Sequence, residues 1–228
     1  MDLQKLVYND IVVFLRQNNT FFFNEWDFQL HLAIWLKKSD HYCDVDVEYT
    51  VPLVAINTMP PIHHMEKVYP WNTELKIDIV VKKDNEYCPI ELKYKTRSPK
   101  TDCMINRFGE QMCSSSLVKN QGAQDLGMYG FWKDVYRIEL LKRRFPAAVK
   151  GGLCIFLTND NSYKCKNKKN GTNDADFSMK EGMHEPYRIW RDANSKIAKD
   201  YPGFVLSSQY EIKWNEHNCN YISTIVKI

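Results

Sequence analysis

The chain of 228 residues lacks any apolar run near the roughly 18 residues needed to cross a bilayer, so no membrane-spanning helix is expected. Its first residues, Met1-Asp2-Leu3-Gln4-Lys5, lack a basic segment followed by an apolar one, and nothing there reads as a secretory signal. The seven cysteines are scattered and contain no Cys-x-x-Cys pair, which argues against a zinc ribbon or a thioredoxin-like centre. Their odd number fits a reducing cytoplasm, with Cys88 and Cys154 placed in apolar runs as core residues. No internal repeat and no linker interrupts the chain, so residues 1–228 read as one α/β domain. Net charge is only +3, so contact with a polyanion must come from local clusters. Three such clusters stand out: Lys142-Arg143-Arg144, the lysines at 164, 166, 168 and 169, and the series Lys93, Lys95, Arg97 and Lys100.

What is present is ordinary in amount, 44% hydrophobic and 26% charged residues, and unusual in placement. Leu3, Leu6, Val7, Val13 and Phe14 give a helical period over residues 3–17. Asn24 is an expected N-cap for a helix to about residue 38, with Asp27 at the position where a capping box carries an acid. Residues 44–54 read as extended, and the proline-bearing stretch from Ile56 to Trp71 as loop. Strands are expected at 74–82 and 87–95, joined by Lys83-Asp84-Asn85-Glu86 as an antiparallel hairpin. Asn120 is expected to cap a helix from 121 to about 143 that Gly122, Gly127 and Gly130 weaken. Leu153 to Thr158 reads as a buried strand, Asn159 to Met179 as a mobile loop, and 191–199 as a short helix. Two late strands are expected at Tyr210–Trp214 and Tyr221–Val226.

The expected hairpin holds charge where central strands should be apolar: Asp78 inside Lys76–Val81, then Glu91 and Lys93 inside Pro89–Tyr94. An ionised carboxylate is costly to bury unless it is paired or bound to a metal. Strand alternation puts Glu74, Lys76, Asp78 and Val80 on one face and Glu91, Lys93 and Lys95 on one face of the next strand. If the faces match, Asp78 lies across from Glu91 or Lys93, and two carboxylates offer the oxygen donors a hard divalent ion takes. Lys93 is then placed to orient a water, assist its deprotonation or stabilise a charged transition state; the first and third roles need less tuning of an ammonium whose free pKa is about 10.4.

This arrangement resembles the PD-(D/E)XK nuclease superfamily, whose restriction-endonuclease-like fold has a helix, a three-stranded antiparallel meander, a helix and a further strand. Residues 24–158 follow that order, with Asp78 matching the acid of the second core strand and Glu91-Leu92-Lys93 the (D/E)XK element of the third. Twelve residues separate Asp78 from Glu91, a span that suits a hairpin; Ile77 replaces the proline of the family name. The resemblance implies a central mixed sheet flanked by helices and a metal set of Asp78, Glu91 and the Leu92 carbonyl. It implies Mg2+, or Mn2+ in its place, and DNA hydrolysis to a 5′-phosphate and a 3′-hydroxyl, with RNA left open as substrate. Glu25 matches an acid that many members add from the first core helix. Gln124 is the preferred match to a glutamine of the following helix, with Gln121 and Asp125 as alternatives. Many small members act as homodimers. A nucleic-acid-binding protein or complex subunit that keeps this fold without turnover is the competing reading. Tyr129, Trp132 and Tyr136 fit helix packing better than base contact, and His31 fits a helix-surface pair with Asp27. The pair His63-His64 has no neighbouring Cys or third His to complete a zinc site.

Overall fold

A computed structural model describes residues 2–17, 21–61, 67–98, 104–114, 118, 120–165 and 171–228. The expectations for His63-His64, Lys100, Lys166, Lys168 and Lys169 lie outside the described residues. The chain opens with helices α1 (Leu3–Gln17) and α2 (Glu25–Lys38). Asn24 caps α2 as expected, its side chain accepting the Asp27 amide at 2.8 Å, while Asp27 reaches back to the amide of Phe23. Strand β1 (Asp44–Val51) ends earlier than the expected extended stretch. Pro52, with φ near −60°, starts a short helix α3 (Leu53–Asn57) instead.

Strands β2 (Leu75–Lys83) and β3 (Glu86–Lys95) form the expected hairpin, turning on Asp84-Asn85 with Asp84 at φ +53°. Beyond β3 lies a small hairpin for which no strand was expected, β4 (Met104–Arg107) and β5 (Glu110–Cys113), turning on Phe108-Gly109, both at positive φ. The long helix α4 runs from Gln124 to Arg144 and starts later than expected. The Asn120 side chain accepts the Ser98 amide and the Gln121 amide donates to the Thr96 carbonyl, so these residues stay outside the helix, which begins after Ala123 with no side-chain cap. Strand β6 (Leu153–Thr158) is buried throughout, which is why it read as one continuous apolar run.

Within the stretch expected to be a mobile loop, the described residues form helix α5 (Ser162–Cys165) and a 3-10 turn whose Phe177 is fully buried. The C-terminal part supplies β7 (Gly182–His184), β8 (Tyr187–Arg188), α6 (Lys196–Asp200), β9 (Phe204–Val205), β10 (Tyr210–Ile212), β11 (Asn215–Glu216) and β12 (Ile222–Lys227).

Six strands make a central mixed sheet in the order β1-β2-β3-β6-β12-β11, parallel between β3 and β6 and antiparallel elsewhere. Helices α1 and α2 cover one face, packing Phe14, Phe28 and Leu32 with Ile79, Ile90, Leu92 and Ile155. Helix α4 covers the other, where Trp132, Val135 and Tyr136 pack with Val80, Cys154 and Phe156 beneath the C-terminal segments. Tyr129, Trp132 and Tyr136 are therefore packing residues, as their spacing suggested. Among the described residues no helix is long and apolar enough to cross a membrane.

Candidate active site

The hairpin that carries the charged residues lies in the middle of the sheet, so its strands have neighbours on both sides. Regular β2–β3 pairing runs from Lys83–Glu86 to Ile79–Ile90 and stops there. One residue further, Asp78 Oδ2 accepts the Leu92 amide at 2.6 Å, a side-chain oxygen replacing a ladder carbonyl. On the other side, β1 pairs with β2 on both flanks of Glu48, but the rung between Glu48 and Asp78 is missing. Glu48 has φ +52°, in the left-handed region that a non-glycine residue seldom adopts. Gln29 of α2 fills the gap: its amide donates to the Asp78 carbonyl at 2.6 Å and to Glu48 Oε1 at 3.1 Å.

This defect breaks the strand's alternation. Leu75, Ile77 and Val80 all pack on the α4 side, whereas Ile79 and Val81 face α1 and α2. The single-face placement of Glu74, Lys76, Asp78 and Val80 is thus corrected, because period-2 order fails between residues 77 and 79. Glu74 and Lys76 are exposed and pair with each other.

Glu91 is 1% exposed beneath α4, where Arg137 Nη1 lies 2.9 Å from its Oε1. The same nitrogen is 3.2 Å from Asp134 Oδ1, and Asp134 Oδ2 lies 2.9 Å from Lys93 Nζ. Lys93 Nζ also stands 3.3 Å from the Leu92 carbonyl and 3.9 Å from Glu25 Oε1. The other oxygen of Glu25 accepts the Tyr94 amide at 2.7 Å. Four of the five expected side chains, Asp78, Glu91, Lys93 and Glu25, thus gather in one cluster. Gln124, the first residue of α4, donates instead to Asp160 at 2.7 Å and Ser162 at 2.5 Å, beyond the end of β6.

A chain of charge, Glu91–Arg137–Asp134–Lys93, runs between sheet and helix. Asp134 and Arg137 escaped notice because they sit inside an apolar helical stripe. Their i,i+3 spacing on that packed side was the available signal. Gln29, one turn after Glu25 on α2, was missed for want of any view of the missing rung. Gly130 has a site-related reason for lying mid-helix: a Cβ there would stand 3.2 Å from Lys93 Cε, so the glycine leaves passage for the lysine stem.

The electrostatics follow from burial. Loss of water pushes the Asp78 carboxyl up to about 6; Lys93 opposes that rise and Asp134 adds to it. Burial pushes Glu91 well above the ordinary carboxylate range, against the pull of Arg137. Burial alone would lower Lys93, but Asp134, Glu25 and Asp78 around it hold it above its usual value. The acidic groups around Lys93 therefore favour its ammonium form, the form suited to orientation and charge stabilisation.

Among the described residues, no three or more His, Cys, Asp or Glu are grouped to hold a metal ion. The donor chemistry nevertheless fits a hard cation. Glu139, a buried carboxylate on the same helix, has its oxygens taken up by the Ser207 amide and hydroxyl and by the Tyr210 hydroxyl. Glu91 Oε1 accepts no hydrogen bond, although the charge of Arg137 is adjacent. It is an oxygen donor with an unspent lone pair beside a second carboxylate. The basic cluster at the end of α4 has a structural use: Arg143 and Arg144 donate to the carbonyls of Pro60 and Ala55. His31 pairs with Asp27 on the surface of α2.

The site belongs to a mixed α/β protein with a charge cluster between central strands and a covering helix. No protein-family model, curated protein or solved structure matches the chain.

Proposed function

We propose that this chain is a metal-dependent nuclease with a restriction-endonuclease-like core, hydrolysing DNA phosphodiester bonds, with magnesium as cofactor and manganese as substitute. The observation that carries the reading is the convergence of Asp78, Glu91 and Lys93 at a defect in two interior strands. Core strands hold such a group at a cost in stability, since burial has already raised both carboxyls. Asp78 and Glu91 would hold the metal, with the Leu92 carbonyl on the same strand edge and Glu25 at the rim. Bound there, the ion would supply an activated water and offset the charge that grows on the phosphate. Lys93, kept protonated by its acidic neighbours, would orient the water or stabilise the phosphate oxygens. Asp134 acts through Lys93 by fixing its ammonium, and Arg137 neutralises Glu91 when no cation does so.

The contact between Arg137 and Glu91 favours one competing reading, a non-catalytic nucleic-acid binder in which the guanidinium permanently replaces the metal. Plasmid, linear duplex, single-stranded DNA and RNA incubated with Mg2+, Mn2+ or EDTA separate the two. The nuclease reading expects cleavage with either metal, none with EDTA, and loss of activity in folded Asp78→Ala and Lys93→Ala proteins. Binding without metal-dependent cleavage, or full activity in either variant, would reject it.

A further inference from the structure

An open cavity of about 650 Å³, within the range of small-ligand sites, lies along the helix that carries Asp134. Lys67, Lys133 and Lys199 line it, with Trp71, Thr73 and Tyr201. Among the described residues that line it, Asp200 is the one acid against these three lysines. Among the described residues none of the three lysines has a carboxylate within ion-pairing distance. Lys133 is the informative one. It precedes Asp134 on α4, so the cavity and the Lys93 site share a stretch of helix. Its ammonium stands 4.6 Å from the centre of the Trp71 ring, with only a 3.5 Å contact to the Thr73 hydroxyl as a polar partner.

Burial, and then the charge of Arg137, push Lys133 down to about 8. Asp134 and Glu91 offset Arg137 and Lys93 only in part, so this half-buried ammonium gains from an arriving anion. Tyr201 adds a different property to the lining. Tyr201 is partly exposed, and its ring is braced edge-on against Tyr129 at 5.5 Å. A held aromatic ring and lysine ammonium groups in one cavity are what a nucleotide's base and phosphate both require. An inorganic anion would leave the tyrosine unused.

We propose that this cavity is a strand-binding subsite, where Lys133, Lys199 and Lys67 take a backbone phosphate and Tyr201 stacks the adjoining base of the nucleic acid that enters the Asp78–Glu91–Lys93 centre. The assignment of what the strand then meets rests on the nuclease reading; the subsite itself does not.

The test is fluorescence anisotropy of a labelled single-stranded DNA oligonucleotide in EDTA, titrated with the whole protein at several salt concentrations. Each lysine–phosphate contact contributes about 0.7 to the slope of log affinity against log salt for single strands. The Lys133→Gln/Lys199→Gln protein should bind about tenfold more weakly and lose about 1.4 of that slope. Lys199→Gln alone, on an exposed helix position, should lose about half of it. Tyr201→Leu should weaken binding while leaving the slope in place. Unchanged affinity and slope in the lysine variants would overturn the subsite, as would displacement of the oligonucleotide by inorganic phosphate as effectively as by a second unlabelled strand. A parent protein that cleaves with magnesium while the lysine variants bind normally would sink the subsite and keep the nuclease reading. Slope loss in the variants of a parent that never cleaves would do the reverse.

Discussion

Arg137 stands between two buried carboxylates, and its removal offers the sharpest test of how the site is held together. Arg137→Met keeps the apolar stem and removes the guanidinium that lies 2.9 Å from Glu91 and 3.2 Å from Asp134. Lys93 can still balance Asp134, at 2.9 Å, but Glu91 at 1% exposure loses the cation in contact with it. Breaking one side of a buried pair costs about 3–5 kcal/mol, because the remaining charge has neither water nor a partner. A drop of that size is a large share of the roughly 5–15 kcal/mol that holds a typical domain. At about 2–4 °C per kcal/mol for a chain of this size, the melting point should fall by roughly 6–20 °C. Glu91→Gln in the same chain removes the stranded charge, so the double variant should be more stable than Arg137→Met alone. Urea titrations of the four proteins of this cycle in EDTA measure both quantities. A cost below about 1 kcal/mol, or no recovery in the double variant, would refute the claim that Arg137 exists to balance Glu91.

Two further outcomes test the frame around the site. Gly152→Ala would bring a Cβ within 2.6 Å of Ile138 Cγ2 and 2.7 Å of the Pro89 carbonyl, so thermal denaturation should show a loss of about 1–3 kcal/mol; Gly122→Ala, with nothing within 4 Å, should change little. Burial lowers the folded-state pKa of His184 and His217, so the unfolded chain takes up protons first and stability falls as pH drops through about 6.5. The His184→Gln/His217→Gln protein should therefore lose less stability than the parent between about pH 7.5 and 5, and an equal loss would show that these histidines do not titrate as described.

The parts of the fold legible in the sequence are those decided by local rules. The Asn24 cap, the Asp84-Asn85 turn and the unbroken apolar run of β6 each depend on residues near one another in the chain. The start of α4 was misread because Asn120 spends its side chain on Ser98, a partner 22 residues away that no capping rule foresees. The β4–β5 hairpin turns on Phe108, whose positive φ is unusual for an aromatic residue and leaves no composition cue beyond Gly109. In the site, Asp78, Glu91 and Lys93 were visible because charge within apolar strands conflicts with burial. Asp134 and Arg137 were hidden by the opposite circumstance, a helix already rich in tyrosine, tryptophan and glycine where two more polar residues raise no alarm. The missing rung at Glu48 was beyond reach, since a glutamate at positive φ has no signature in sequence.

The side-chain contact on the other edge of Asp78 has a practical consequence. The Leu92 amide is tied to a titratable oxygen of Asp78, as the Tyr94 amide is to Glu25, whereas the hairpin from Ile90 back to its turn keeps regular backbone pairing. Whatever changes the charge on that oxygen, a proton or a divalent ion, must alter the polarisation of one N–H bond in the middle of the sheet. Leu92 therefore serves as a spectroscopic gauge written into the backbone, able to show occupancy of the carboxylate in a protein that is turning nothing over.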